Sequence, residues 1–213
     1  MDSINKAGIR LFIDRKREDK KFMKEFNAEI QDSNELLMLG NTFRDFFRER
    51  AKYNEIIANA IKKGIKFKIL LLDPRSEHAR KRAIKEQGEL YGMEKYDESI
   101  LIKDITEVTE WLYNVQKSAP TAIEVLYYDS LPMVFLIKTR DVTFIEFYHT
   151  SRRDIKLSKF IPSKKHTPLL IVENASSFGI FLKSHFEYIW KKAKKRGRTL
   201  EVVYNELHPE NMS

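Results

Sequence analysis

Three polar clusters follow apolar runs in this chain, and each is built from side chains that bind anions. Asn41, Thr42 and Arg44 follow ELLML at 35–39, Asp73 and Arg75 follow FKILLL at 67–72, and His149 follows VTFIEFY at 142–148 with Ser151, Arg152 and Arg153 behind it. Guanidinium groups present planar, forked donors to phosphate or carboxylate, amides and hydroxyls add neutral donors, and histidine titrates near neutral pH. Taken together, Asn41, Arg44, Asp73, Arg75, His149 and Arg152 form one candidate ligand site for an anionic small molecule or nucleotide. Each also has a purely structural reading: His149 as a strand-end residue bonded to backbone, Asp73 as a turn-former before Pro74. His185 and Trp190 read as packing residues of an amphipathic helix. No cofactor or metal is implied, because the five histidines are scattered, cysteine is absent, and neither HExxH, a Walker loop nor GxGxxG occurs.

The elements that must position these groups are legible in the same runs. A continuous apolar run describes a buried parallel strand, and 35–39 ends at Gly40-Asn41, residues that tolerate turn geometry. A helix over about 54–63 places Ile57, Ala60 and Ile61 on one stripe and stops at Gly64. The second strand, 67–72, then runs into Asp73-Pro74. Two buried strands joined by a crossover helix pair in parallel with a right-handed connection, and ligands of such sheets lie beyond the strands' carboxyl ends. That rule is what gathers the polar clusters into one site.

The remaining pattern predicts an N-terminal helix at about 18–31 and a second helix capped by Ser76 and running to Gln87. Between Asp97 and Lys117, Leu101, Ile105, Val108, Leu112 and Val115 recur at alternating spacings of four and three. This is an amphipathic helix facing the core, with a dimer seam as the alternative. Strands are expected at 122–128, 133–138 and 142–148, the last two as a hairpin around Thr139-Arg140-Asp141, and another at 169–172. Residues 151–168 read as a long surface loop. A basic helix over about 177–196 ends at Gly197, a last strand is expected at 200–204, and a loose tail from about 205. The fold class is α/β, with a mixed, mostly parallel sheet flanked by helices in a single domain spanning 1–213.

The chain carries a formal charge of +8, unevenly placed: 138–198 holds 15 Lys and Arg against 5 Asp and Glu. The basic C-terminal third suits contact with phosphates, of a nucleotide or of nucleic acid. It also suits a solvated helix end, KKAKKRGR, at the negative end of a helix dipole. At 42% apolar residues the chain can fill a sizeable core, and no apolar run approaches the length of a membrane span. The absence of cysteine and of a signal-peptide core leaves a cytoplasmic location as the default.

The order AEIQDSNELLMLGNTFRDFF, AIKKGIKFKILLLDP, a hairpin and a helix carrying HFEYIW resembles half of a phospholipase D-like domain, over roughly Gly8 to Arg196. The resemblance implies a mixed sheet flanked by helices, pairing of single-half members as homodimers and, in active members, a phosphohistidine mechanism on phosphodiesters. Those members carry His-x-Lys with an Asp five residues after the lysine, the histidine acting as nucleophile and the lysine holding the phosphate. Here the hairpin reads LPMVFLIKTRD, with Met133 in the nucleophile's place and Phe135 in the lysine's, and Asp141 only approximately in register. Two residues after the five histidines stand Arg80, Ser151, Pro168, Glu187 and Glu210, never lysine. Met133, Phe135 and Ile137 would offer an apolar patch to a second copy.

The reading that follows is a non-catalytic sensor or regulatory module that binds a phosphorylated or nucleotide-like ligand or a protein partner, with lipid head groups as a minor variant. One alternative is a divergent phosphodiesterase or nuclease using His149, Asp73 and Arg152. The other is a nucleic-acid-binding protein, favoured by charge and opposed by the lack of a helix-turn-helix, zinc finger or aromatic RNA motif.

Overall fold

A computed structural model describes residues 7–14, 18–131, 133–148 and 168–212. Chain order is β1 (Ile9–Asp14), α1 (Asp19–Gln31), β2 (Glu35–Leu39), α2 (Asn54–Lys62), β3 (Lys66–Leu72), α3 (Glu77–Gln87), α4 (Ile100–Ser118), β4 (Ile123–Tyr128), β5 (Val134–Lys138), β6 (Val142–Phe147), β7 (Pro168–Glu173), α5 (Ser177–Arg196) and α6 (Leu200–Leu207), with 3-10 turns at Glu89–Gly92, Tyr96–Glu98 and Pro209–Met212. The strands form one mixed sheet in the order β1-β7-β6-β5-β2-β3-β4, and helices flank it.

The parallel unit is as expected and extends one strand further, β2 to β3 to β4. The remaining four ladders, β2–β5, β5–β6, β6–β7 and β7–β1, are antiparallel, so the sheet is mostly antiparallel rather than mostly parallel. The physical reason lies in the connections. A crossover helix returns the chain to start a parallel strand, whereas the tight Thr139–Asp141 turn reverses it. β1 adds the last antiparallel ladder at the edge.

Paired residues share a face. Phe135 and Ile137 of β5, with Glu146 and Phe144 opposite them in β6, point to the side covered by α1 and the 42–53 loop. There the Phe144 ring lies 5.7 Å from Phe22 and 5.5 Å from Phe26, edge-on to both. Lys138, Leu136 and Leu37 point to the other side, where α5 packs Leu182, Phe186 and Ile189 against the sheet. The α4 stripe Leu101, Ile105, Val108 and Leu112 is buried, which identifies it as core rather than as a dimer seam. Gly64 and Gly197 take positive φ at the ends of α2 and α5, the geometry that makes glycine the favoured residue there.

β4 is an edge strand, and the C-terminal segment covers it. Tyr127 N–H donates to the Arg198 carbonyl at 2.9 Å and Leu126 bridges Thr199. Arg198 then turns its guanidinium onto Asp73, with Nε and Nη2 at 2.9 and 3.0 Å from the two carboxylate oxygens, and places Nη1 2.6 Å from Glu206. The expected strand at 200–204 is therefore a helix. Thr199 caps it, its hydroxyl accepting from Val202 N–H, and Tyr204 stacks on Tyr113 of α4 at 3.7 Å. Residues 205–207, expected in a loose tail, complete that helix. The β-branched pair Val202-Val203 suggested a strand, and tertiary pairing overrode the preference.

Asp73 has a side chain only 2% exposed. Arg198→Met should therefore cost about 3–5 kcal/mol in urea unfolding, because it strands a buried carboxylate. Adding Asp73→Asn should recover part of that loss, so the double variant falls short of the sum of the singles. Strict additivity would show that the two groups are not coupled.

Candidate functional site

Of the six residues predicted to form one site, the four that are described are divided among separate clusters. Asn41, buried after β2, donates its backbone N–H to the Tyr148 hydroxyl at 2.9 Å. Its amide lies between Arg82 of α3 and the Tyr128 hydroxyl, with 3.5 Å to the latter. With the amide oxygen turned toward Arg82, it accepts from Nε and Nη1, both at 3.1 Å, which satisfies donors that would otherwise face an amide NH2. The Arg82 guanidinium stacks over the Tyr148 ring at 4.7 Å and pairs through Nη2 with Glu86 at 2.7 Å. Tyr148 N–H in turn donates to the Met133 carbonyl at 3.1 Å, so the start of the β5 hairpin adjoins this cluster.

Asp73 and Arg75 belong to a different network. Asp73 is held by Arg198, with Arg196 3.6 Å away, and Arg196 also pairs with Asp129 at 3.1 Å. Arg75 donates its backbone N–H to Asp73 and reaches Glu206 at 3.2 Å. Glu206 and Asp73 together hold the Arg198 guanidinium even more firmly protonated than usual, against a partial burial that opposes it. The network balances three carboxylates with three guanidinium groups and ties α5 and α6 to the strand ends. Asp73 thus has a structural role here, with Ser76 accepting the cap of α3 beside it.

Arg44, expected to donate to an anion, is engaged by Asp104 of α4 at 3.1 Å. Burial raises the Asp104 carboxyl above its ordinary value, against the opposing pull of Arg44 and Arg48. His149 and Arg152 lie outside the described residues.

The hairpin positions are occupied differently from the expectation of an apolar surface patch. Met133 is exposed, but Phe135 and Ile137 are buried. Phe135 lies 5.0 Å from the Phe43 ring and 5.8 Å from Phe46. To reach it, Phe43 adopts a left-handed backbone with φ 53°. Gly40 permits the approach, since a Cβ there would lie 2.8 Å from the Phe43 ring. Phe135 is therefore held among interlocked aromatic rings rather than at the surface.

The residues that sequence reasoning missed are Arg82, Tyr128 and Tyr148. Tyr128 and Tyr148 close strands whose apolar pattern made them read as core, and Arg82 sits in a helix so charged that one arginine among many carried no signal. Burial first, and then Tyr148, push the Tyr128 hydroxyl well above its ordinary pKa against the pull of Arg82, so it stays a neutral donor. An amide, phenols and a guanidinium in this arrangement can hold an oxyanion. Among the described residues no group of three or more His, Asp or Glu side chains is placed to hold a metal ion, and no helix is long and apolar enough to cross a membrane.

No family model matches the sequence, and no curated protein is significantly similar to it. Among solved structures the chain is similar to TrmBL2, an archaeal chromatin protein described as showing a novel mode of DNA binding, with a TM-score of 0.46 and 14% identity over 86% of this chain and 52% of that one. It is also similar to Nuc, a phospholipase D family member from Salmonella typhimurium, with a TM-score of 0.41 and 11% identity over 81% of this chain and 86% of that one. A third similarity is to phosphatidylserine synthase of Haemophilus influenzae Rd KW20, with a TM-score of 0.40 and 10% identity over 81% and 34% of the two chains. The chain spans about half the length of the chromatin protein and about a third of the synthase.

Proposed function

We propose that this chain is a non-catalytic phospholipase D-like module that senses a small phosphorylated or nucleotide-like anion at the carboxyl edge of β2, β3 and β4. The observation that carries the reading is the Arg82 guanidinium, its side chain 16% exposed, oriented by Asn41 and the Tyr148 ring beside Met133. Its contacts with Asn41 and Glu86 use three of the five donors of a guanidinium, and no other acceptor among the described residues takes the remaining two, which leaves them for a ligand. Stacking on Tyr148 fixes the fork's plane, so little further ordering is needed to take up an oxyanion.

The same geometry supports binding without turnover. In the register implied by the resemblance, a methionine thioether cannot form a phospho-enzyme, and Phe135 has no charge to hold a phosphate. Pairing of two copies belongs to this reading as well, but through a different surface from the hairpin. Ile180, Phe181 and Tyr188 of α5 are each more than half exposed, apolar surface that a second copy would cover.

In a thermal-shift screen over nucleotides and sugar phosphates, a ligand at a hundred times its Kd should stabilise the fold by about 2.7 kcal/mol. Arg82→Met should remove most of that gain. A screen that yields no ligand dependent on Arg82 removes the reading. The purified protein should leave bis-p-nitrophenyl phosphate and DNA uncleaved without added metal, and robust metal-independent turnover would favour the divergent hydrolase instead. Light scattering should give a mass near twice the 25.3 kDa chain, and Phe181→Glu should shift it to the monomer; a clean monomer at tens of micromolar sinks the pairing.

A further inference from the structure

We propose that the cleft at the opposite end of the sheet, lined by Lys138, Lys183 and Trp190, is a second binding site, for a small phosphorylated or carboxylated ligand with a flat aromatic body, such as a nucleoside monophosphate. Its volume is about 470 Å³, and Glu35 and Leu37 of β2 border it. Asn41 lies six residues beyond Glu35, past the other end of β2, roughly 20 Å away at strand rise. The cleft is thus separate from the Arg82 cluster, and it lies on the α5 face of the sheet.

Its charge is unbalanced. Lys68, Lys138, Arg140 and Lys183 line it against the carboxylates Glu35 and Glu187. Lys68 is paired with Glu35 at 2.9 Å and Arg140 with Asp141 at 2.7 Å, while Lys183 has a looser contact with Glu187 at 3.6 Å. Lys138 differs from these. Its Nζ donates to the Thr139 carbonyl at 3.1 Å, and among the described residues no carboxylate lies within 4.0 Å of it. Half-buried at the end of β5, it is pushed below the ordinary lysine range by burial first and then by Lys183, against the pull of Glu35, Asp141 and Glu187. An oxyanion seated between Lys138 and Lys183 would relieve both effects, replacing lost hydration and cancelling the repulsion.

The apolar component comes from α5. Trp190 is half-buried and stacked on the buried Phe186 at 5.6 Å, which fixes the indole as part of the cleft wall. A flat ring against a rigid indole and an anion on nearby ammonium groups is a combination that a nucleoside monophosphate satisfies. The cleft volume lies within the range of small-molecule sites.

The chain has two tryptophans, Trp111 and Trp190, so the Trp111→Phe variant makes Trp190 the sole indole reporter. Titration with adenosine 5′-monophosphate should quench its fluorescence saturably. Lys138→Met, which keeps the side-chain stem, should weaken binding more than about tenfold, and adenosine, which lacks the anion, should bind weaker by a similar factor. Arg82→Met should leave the quench intact, so failure here is distinguishable from failure of the Arg82 site. Calorimetry of the monophosphate against the unmodified chain and against Lys138→Met supplies the same comparison without the tryptophan substitution. A quench absent up to about 10 mM, or an affinity unchanged by Lys138→Met, overturns the proposal.

Discussion

The buried contact between Asp73 and Arg198 is the constraint on which much of the rest depends. A carboxylate at the end of β3 cannot remain charged in a nearly solvent-free position without a partner that satisfies both oxygens, and Arg198 supplies two parallel donors. Because the Arg198 carbonyl also accepts from Tyr127 N–H, the same residue closes the exposed edge of β4. One side chain and one backbone group thus fix where α5 ends, where α6 begins, and how the parallel strands are shielded from pairing with other chains.

Much of this architecture was legible because the signals were local. The run 35–39, the stripe of Ile57 and Ala60, the caps Ser76 and Gly197 and the α4 heptads each rest on periodicity or on backbone geometry that a few neighbouring residues dictate. Sheet orientation was not of that kind. Whether β5 pairs with β2, and β7 with β6 and β1, is decided by side chains far apart in sequence, and those three antiparallel ladders outnumber the two parallel ones. The 200–204 segment failed for a related reason. Val202 and Val203 favour a strand locally, but Thr199 as a cap and the Tyr113–Tyr204 stack commit the segment to a helix.

The candidate site was legible to a lesser degree. The rule that ligands gather beyond parallel strand ends points to the edge where Asn41 meets Arg82, yet proximity along strand ends does not tell which groups will neutralise one another. Asp73, Arg75 and Arg44 sit near that edge and are committed to ion pairs with Arg198, Glu206 and Asp104. Arg82 enters the cluster from α3 because a helix leaving the β3 end at Ser76 passes back over the same edge two turns later. Only the fold makes that arrangement visible.

Where the surplus positive charge goes decides where an anion can bind. The basic C-terminal third suits contact with phosphates, but at the strand edge Arg196 and Arg198 are balanced by Asp73, Asp129 and Glu206. Among the described residues the excess instead lies along α5, whose Lys191, Lys192, Lys194 and Lys195 are exposed to solvent, and in the Lys138 cleft on the same face. Exposed lysines are screened within about 8 Å at physiological salt and contribute a diffuse field, whereas a half-buried ammonium keeps its interaction with a nearby anion. The diffuse charge would speed the approach of any anion from the α5 side, and selectivity would fall to cations such as Arg82, stacked on its tyrosine, and Lys138, in the cleft it shares with Trp190.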